Sequence, residues 1–320
     1  MAEQKYSFNH KQRGLAVVIV NKTFSSLTKR RGAHKDLINM KTLFKKLDFR
    51  VKAYKDLTSD KMMEKLEKAS EKSHAESDCF VCVISTHGEE IKHTHYDETT
   101  AQHILYGTDG KSIYTSDVTR MFANCFGLVD KPKLFFIQAC RSSEGRAKTD
   151  LGHEFILIPE SKSGTDQSQV SDKFPTQVST EVYKYEDVSD DEWQESQLPD
   201  NWMEEDEEDR FCQETEQDAK GQIGQTAPIG LPPSRVACYK DELIMWPVAS
   251  GIRAPRYPDT GSWMLTFLFE ELMKIQPNDN ESLLHALTRV SCKMANESST
   301  SDVNVVSCIS HRLCRDIILH

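Results

Sequence analysis

The chain has 320 residues, 38% hydrophobic and 28% charged, with 14 Gly and 11 Pro, a globular composition that excludes collagen-like, low-complexity and wholly disordered chains. No apolar run approaches the ~20 residues that span a bilayer and the N-terminus lacks the apolar stretch of a signal peptide, so the nine cysteines are expected to be reduced thiols of a cytoplasmic protein. The net charge of −10 is local: residues 186–209 hold 13 acidic and no basic residues, and the remaining 37 acidic against 40 basic residues leave +3, without the basic stripe of a nucleic-acid binder.

In chain order, residues 15–20 (LAVVIV) read as a strand buried on both faces. Leu37, Met40, Phe44 and Leu47 form one stripe of a helix. Residues 49–54 alternate like a strand near a sheet margin, and Thr58 is placed to cap a helix carrying Met62, Met63 and Leu66. Residues 79–84 (CFVCVI) and 134–137 (LFFI) are two further buried strands. Strands alternating with helices predict right-handed βαβ units and a mostly parallel sheet covered on both faces.

From about 147 to 233, Ser, Gln, Asp, Glu, Pro and Gly dominate, which reads as a flexible linker. Beyond it, residues 243–248 read as a strand, 262–275 and 282–294 as helices, and 303–309 as extended chain. This last part is too small for a large core of its own, so it is expected to complete the sheet begun before the linker. The expected organisation is a short segment at 1–14, a large part at 15–146, an acidic linker at 147–233 and a smaller part at 234–320.

Functional groups of open parallel sheets collect beyond the carboxyl ends of the strands. The run at 79–84 leads into Ser85-Thr86-His87-Gly88-Glu89-Glu90, and the run at 134–137 into Gln138-Ala139-Cys140-Arg141. Neighbouring strands lie ~4.8 Å apart, so His87 and Cys140 can meet. An unperturbed thiol is only a few per cent thiolate at neutral pH, and an adjacent imidazole lowers its pKa or takes the proton during attack. Gly88 would supply the backbone freedom to aim an amide at a developing oxyanion.

Taken alone, a cysteine at a strand end is usually a small buried hydrophobe, and a lone histidine is usually structural. Cys79 and Cys82 face opposite sides of one strand, which argues against a metal or redox role. His93, His95 and His103 could bind metal, but their polar surroundings favour a solvated loop. No metal or cofactor is expected.

VCVISTHGEE, followed by KPKLFFIQACRSSEG, resembles the active-site signature of caspases, cysteine proteases that cut after aspartate. The turn Lys29-Arg30-Arg31-Gly32, the helix-opening Gly261-Ser262-Trp263 and the LTRV at 287–290 extend the likeness to both sides of the linker. It leaves out the linker and residues 91–102. The resemblance implies an α/β fold with a caspase-like, mostly parallel six-stranded sheet, helices on both faces, and a single domain interrupted by the linker. It also implies that Cys140 is the nucleophile and His87 the general acid and base, oriented by the Thr28 carbonyl. The amides of Gly88 and Cys140 would form the oxyanion hole, and Arg30, Gln138 and Arg256 would bind the substrate aspartate. That task suits guanidiniums, whose planar forks grip a carboxylate through charge-assisted bonds of about 1.5–3 kcal/mol each.

Three departures stand out. Ser142 replaces the usual Gly after QACR, Arg253-Ala254-Pro255 precedes Arg256 where aromatic residues are common, and the loop between 294 and 303 is short. By the same resemblance the chain is a zymogen cut after linker aspartates, here Asp166 and Asp218. The short leading segment points to an effector-type caspase of apoptosis. Its implied partners are an upstream activating protease, protein substrates with exposed aspartate, and a second cleaved copy in a homodimer, with no nucleic acid or membrane. The alternative is a catalytically weak homologue regulating a true caspase by mixed dimerisation, a role needing neither His87 nor Cys140.

Overall fold

The apolar run at residue 15 lies within β1 (Gln12–Val20), where Leu15 to Val20 are all buried. The computed structural model describes residues 5–95, 98–142, 238–276, 279–300 and 305–319. Helix α1 (Ala33–Lys46) turns Leu37, Met40 and Phe44 inward, as their spacing requires. The alternating segment after it is β2 (Arg50–Lys55), mostly half-buried. Helix α2 (Ser59–Ser70) starts at Thr58, whose hydroxyl accepts the Lys61 N–H and so satisfies one donor that the helix leaves unpaired. Strand β3 (Ser77–Ser85) is buried at every position.

The chain then leaves the main sheet as β4 (Gly88–His95), β5 (Glu98–Tyr106) and β6 (Ser112–Tyr114), a separate three-stranded antiparallel sheet. Helix α3 (Thr115–Ala123) returns it to β7 (Lys133–Gln138). After residues 143–237, which lie outside the described chain together with Asp166 and Asp218, come β8 (Glu242–Trp246), β9 (Arg256–Tyr257) and β10 (Gly261–Ser262). Helices α4 (Trp263–Leu272) and α5 (Leu283–Thr300) and strand β11 (Cys308–His311) complete the fold.

The main sheet runs β11-β8-β7-β3-β1-β2. Its neighbours from β8 to β2 are parallel, and only β11 is antiparallel. The chain steps from β1 outward to β2 and then back past β1 to β3. Right-handed crossovers in opposite directions put their helices on opposite faces. One face accordingly packs Met62 and Leu66 of α2 and Val118 and Phe122 of α3 on Leu15, Val17, Ile19, Phe80 and Phe135. The other carries α1, α4 and α5, with Phe44 of α1 against Phe136, the neighbour of Phe135 that points the opposite way. Because β8 pairs with β7, the segments before and after the linker form one sheet, so the domain is single and interrupted. Among the described residues no helix is long and apolar enough to cross a membrane.

Three expectations need correction. The polar stretch of His93, His95 and His103 is a hairpin rather than a solvated loop, paired from Gly88↔Leu105 to His95↔Glu98. Its strands bond chiefly to one another, so polar composition concealed them. Helix α3 was not anticipated; its apolar face is Val118 and Phe122 within nine residues, too short for periodicity to declare itself. Helix α5 continues to Thr300, past the expected end at Met294; of the stretch expected to be extended, 303 and 304 lie outside the described residues, and the strand observed is Cys308–His311.

Candidate active site

Strands β3 and β7 are neighbours, and their last paired residues are Ser85 and Gln138. The Thr86 N–H donates to the Gln138 carbonyl at 3.1 Å, extending the ladder by one bond. His87 and Cys140 each follow two residues beyond that pair, at the same edge of adjacent strands, although 53 positions separate them. Both are half-buried. The His87 ring lies against Phe24, centroids 4.7 Å apart, and its Nε2 is 2.8 Å from the Thr28 carbonyl oxygen. A carbonyl oxygen only accepts, so Nε2 carries the proton and the neutral ring keeps its lone pair on Nδ1. That is the tautomer a general base requires.

Gly88 has a different reason from the one expected. Its φ is not positive, so conformational freedom is not what the site uses. A Cβ there would lie 2.7 Å from the Ile104 oxygen and 2.9 Å from the Ala139 Cβ. The absent side chain lets the residue after His87 pass close to the residue before Cys140.

The guanidinium of Arg30 is buried beside these strand ends. It donates to the Asn21 and Ser85 carbonyls at 2.6 and 2.9 Å, and to the Ser85 hydroxyl at 2.9 Å. That hydroxyl donates onward to Asp36 at 2.8 Å. Asp36 also accepts the N–H and hydroxyl of Ser262, at 2.8 and 2.9 Å, and pairs with Arg256 at 3.5 Å. Thus Asp36 serves both guanidiniums, one directly and one through Ser85. Burial first, then the positive charge of Arg256, pulls Arg30 well below its usual range, while Asp36, Cys140 and Asp56 act in the opposite sense. Cys140 and this cationic cluster therefore lie in one electrostatic neighbourhood. Gln138, also buried, has a side-chain oxygen without a hydrogen-bond partner, and such an atom costs free energy until a ligand or water meets it.

Sequence reasoning missed Asp36, Ser85, Ser262 and Asn21. Asp36 had left a trace: with Met40 and Phe44 it occupies i, i+4 and i+8 of α1, a carboxylate on the buried stripe. Asn21 is fully buried, and its amide donates to the Leu57 and Tyr106 carbonyls.

The turn after Cys140 is held by Arg141, which bonds Glu90 through Nε and Nη2 at 2.7 Å and stacks over Trp246 at 4.7 Å. Glu90 also accepts from Ser250. Ser142, one of the departures, takes part through its backbone, its carbonyl accepting the Glu90 N–H at 3.1 Å. Both ring nitrogens of His103 have partners, Thr115 Oγ1 at 2.8 Å and the Cys140 carbonyl at 2.9 Å, which removes it from any metal set. Among the described residues no three His, Cys, Asp or Glu are grouped to hold a metal ion.

A family model for the caspase domain matches residues 13–318. Caspase-7 of Gallus gallus is 37% identical over 145 residues, 44% of this chain and 43% of that protein. Caspase-6 of Bos taurus is 37% identical over 161 residues, 49% and 48% of the two. Caspase-3 of Mus musculus is 30% identical over 181 residues, 55% and 57%. The matched region thus spans about half the length of these curated relatives. Caspase-1 from Spodoptera frugiperda shares the fold, with a TM-score of 0.62 over 100% of this chain and 96% of that one at 21% identity.

Proposed function

The chain belongs to the caspase domain family, and on that premise we propose that it is a cysteine endopeptidase cleaving after aspartate. The observation that carries the proposal is a charge deficit beside the nucleophile. Among the described residues, Arg30 and Arg256 share the buried carboxylate of Asp36, with half-buried Asp56 acting on Arg30 less strongly, so the two guanidiniums outnumber the one carboxylate that bonds them. A substrate aspartate supplies a second, in the bidentate geometry guanidiniums favour.

In the proposed reaction the peptide lies with its aspartate in this pocket and its scissile carbonyl at Cys140. His87 Nδ1 takes the thiol proton, and the Cys140 sulfur attacks the carbonyl carbon. The oxygen that gains charge is met by the amides of Gly88 and Cys140. His87 returns the proton to the departing amine, the C–N bond breaks, and a thioester remains on Cys140. Water then gives a proton to His87 and attacks the thioester. The tetrahedral centre expels the sulfur, which is reprotonated, and the acid product leaves. The bond to Thr28 holds the imidazole in one tautomer and orientation throughout.

The chain acts, in this proposal, as an effector-type zymogen of apoptosis. An upstream protease cuts near Asp166 and Asp218, and two cleaved copies form the working dimer. Fluorogenic peptides ending in Asp or Asn, tested on linker-cut protein and on its Cys140→Ala variant, check the enzymatic reading. Turnover should require Cys140 and favour Asp over Asn by ~10⁴ in kcat/KM, since Asn leaves the buried cations unpaired. No Asp-dependent turnover refutes the proposal. N-terminal sequencing of active material that finds ends far from both aspartates refutes the processing scheme.

A further inference from the structure

Strand β7 ends at Gln138, so ladder bonds no longer hold the backbone at Cys140. The peptide that follows the nucleophile is nevertheless bonded at both ends. Its N–H, on Arg141, donates to the Ile252 carbonyl at 2.9 Å, and the Gly251 N–H returns a bond to Arg141 at 2.8 Å. Its C=O, on Cys140, is met by His103 Nε2 at 2.9 Å. His103 lies on β5, just after the stretch 91–102 that the sequence likeness leaves out. Its Nδ1 lies 2.8 Å from the hydroxyl of Thr115, the buried first residue of α3, and its ring meets Trp246 edge-on at 4.7 Å.

The donor directions follow from chemistry. The carbonyl of Cys140 only accepts, so Nε2 of His103 carries a proton, and in the neutral ring Nδ1 accepts from Thr115. Thr115, His103 and the carbonyl then form one chain of hydrogen bonds, each polarising the next. Burial first, and the charge of Arg141, bring the imidazole down to about 4, so the ring is neutral across the physiological range.

We propose that His103 is a positioning residue for the nucleophile: with Ile252 it clamps the Cys140–Arg141 peptide and thereby fixes the direction in which Cys140 presents its sulfur and its amide. It touches neither substrate nor reacting atoms. The proposal rests on the enzymatic reading above for its effect on rate, but the clamp itself is a structural claim that can be read without turnover.

Three variants test it. His103→Phe keeps a planar ring against Trp246 and removes the donor. His103→Asn places an amide near Nδ1, out of reach of the carbonyl, and His103→Gln places one near Nε2. In linker-cut protein, His103→Phe and His103→Asn should lower kcat on an aspartyl peptide about tenfold with KM unchanged, the loss expected for one hydrogen bond. His103→Gln should recover most of it. Hydrogen exchange at the Arg141 amide should accelerate about tenfold in the first two variants and stay near wild type in the third. Wild-type kcat and wild-type exchange in His103→Phe overturn the proposal, as does a kcat loss that tracks thermal stability and is not rescued by Gln. If the wild type itself turns over no aspartyl peptide, the enzymatic reading fails. The exchange pattern then still decides whether His103 clamps the peptide.

Discussion

Glu242, the first residue of β8, is fully buried. One carboxylate oxygen accepts the Tyr239 N–H, while the other has no partner. Burial raises its pKa from 4.5 to about 7, outweighing the opposite pulls of the Tyr239 amide and Lys133. The folded state therefore holds this proton more tightly than the unfolded chain does. Below the unfolded value both states are protonated and nothing is lost. As pH rises from about 4.5 through about 7, folding must bury a charge, stability falls, and the full penalty persists above that window. A tenfold difference in proton affinity between the two states is worth about 1.4 kcal/mol, so the penalty grows by about 2–3 kcal/mol between pH 5 and pH 8. Glu242→Gln keeps the acceptor for Tyr239 and cannot ionise. Urea unfolding of both proteins at pH 5 and pH 8 isolates the effect, because every other titrating group cancels in the difference. The variant's stability relative to wild type should improve by about 2–3 kcal/mol from the lower to the higher pH. A relative stability that is the same at both pH values refutes the argument.

Gly88→Ala sets a methyl against the Ile104 carbonyl and Ala139; we expect a cost of about 1–3 kcal/mol in stability and a fall in kcat of at least tenfold with little change in KM, read by thermal unfolding and peptide kinetics. Arg256→Ala leaves Asp36 its serine partners and should fold, yet it should lower the Asp-over-Asn ratio at least tenfold, measured as kcat/KM on the two peptides. After cleavage between 142 and 238 the two pieces should co-purify under native conditions and separate only in denaturant, as size-exclusion chromatography would show, because the β7–β8 ladder and the Asp36–Ser262 bonds join them.

The legible parts of the fold were those in which one physical signal dominated. The runs at β1, β3 and β7 are apolar because their strands are covered on both faces, and α1 declares itself through a stripe that has nowhere else to point. The hairpin from Gly88 to Tyr106 obeys backbone pairing rather than burial, so a reading that relies on hydrophobic pattern passes over it. The same holds for the site. His87 and Cys140 could be placed because each follows a strand end. Asp36, Ser85 and Ser262 act through one another, and their convergence depends on α1, β3 and β10 meeting in three dimensions. Of these, only Asp36 broke a pattern, as a carboxylate on an apolar stripe. The side-chain role of His103 required knowing that β5 runs past the end of β7.

The two halves of the site also depend on each other for a physical reason. Gln138 and Glu242 are separated by 104 positions, yet their strands are adjacent and parallel. Parallel strands end at the same edge of a sheet, so β8 delivers the chain that follows it to the edge that carries Cys140. That arrival delivers Ser250, Ile252 and Arg256 to Glu90, Arg141 and Asp36 respectively. Each contact spans the linker, and each bears on a different requirement: the turn after Cys140, the peptide plane beside it, and the charge of the pocket. The segment after β8 can therefore shift only by disturbing the backbone at Cys140 and the Arg30–Asp36–Arg256 cluster together. Under the processing scheme proposed above, that segment is the point at which cutting the linker would act on activity.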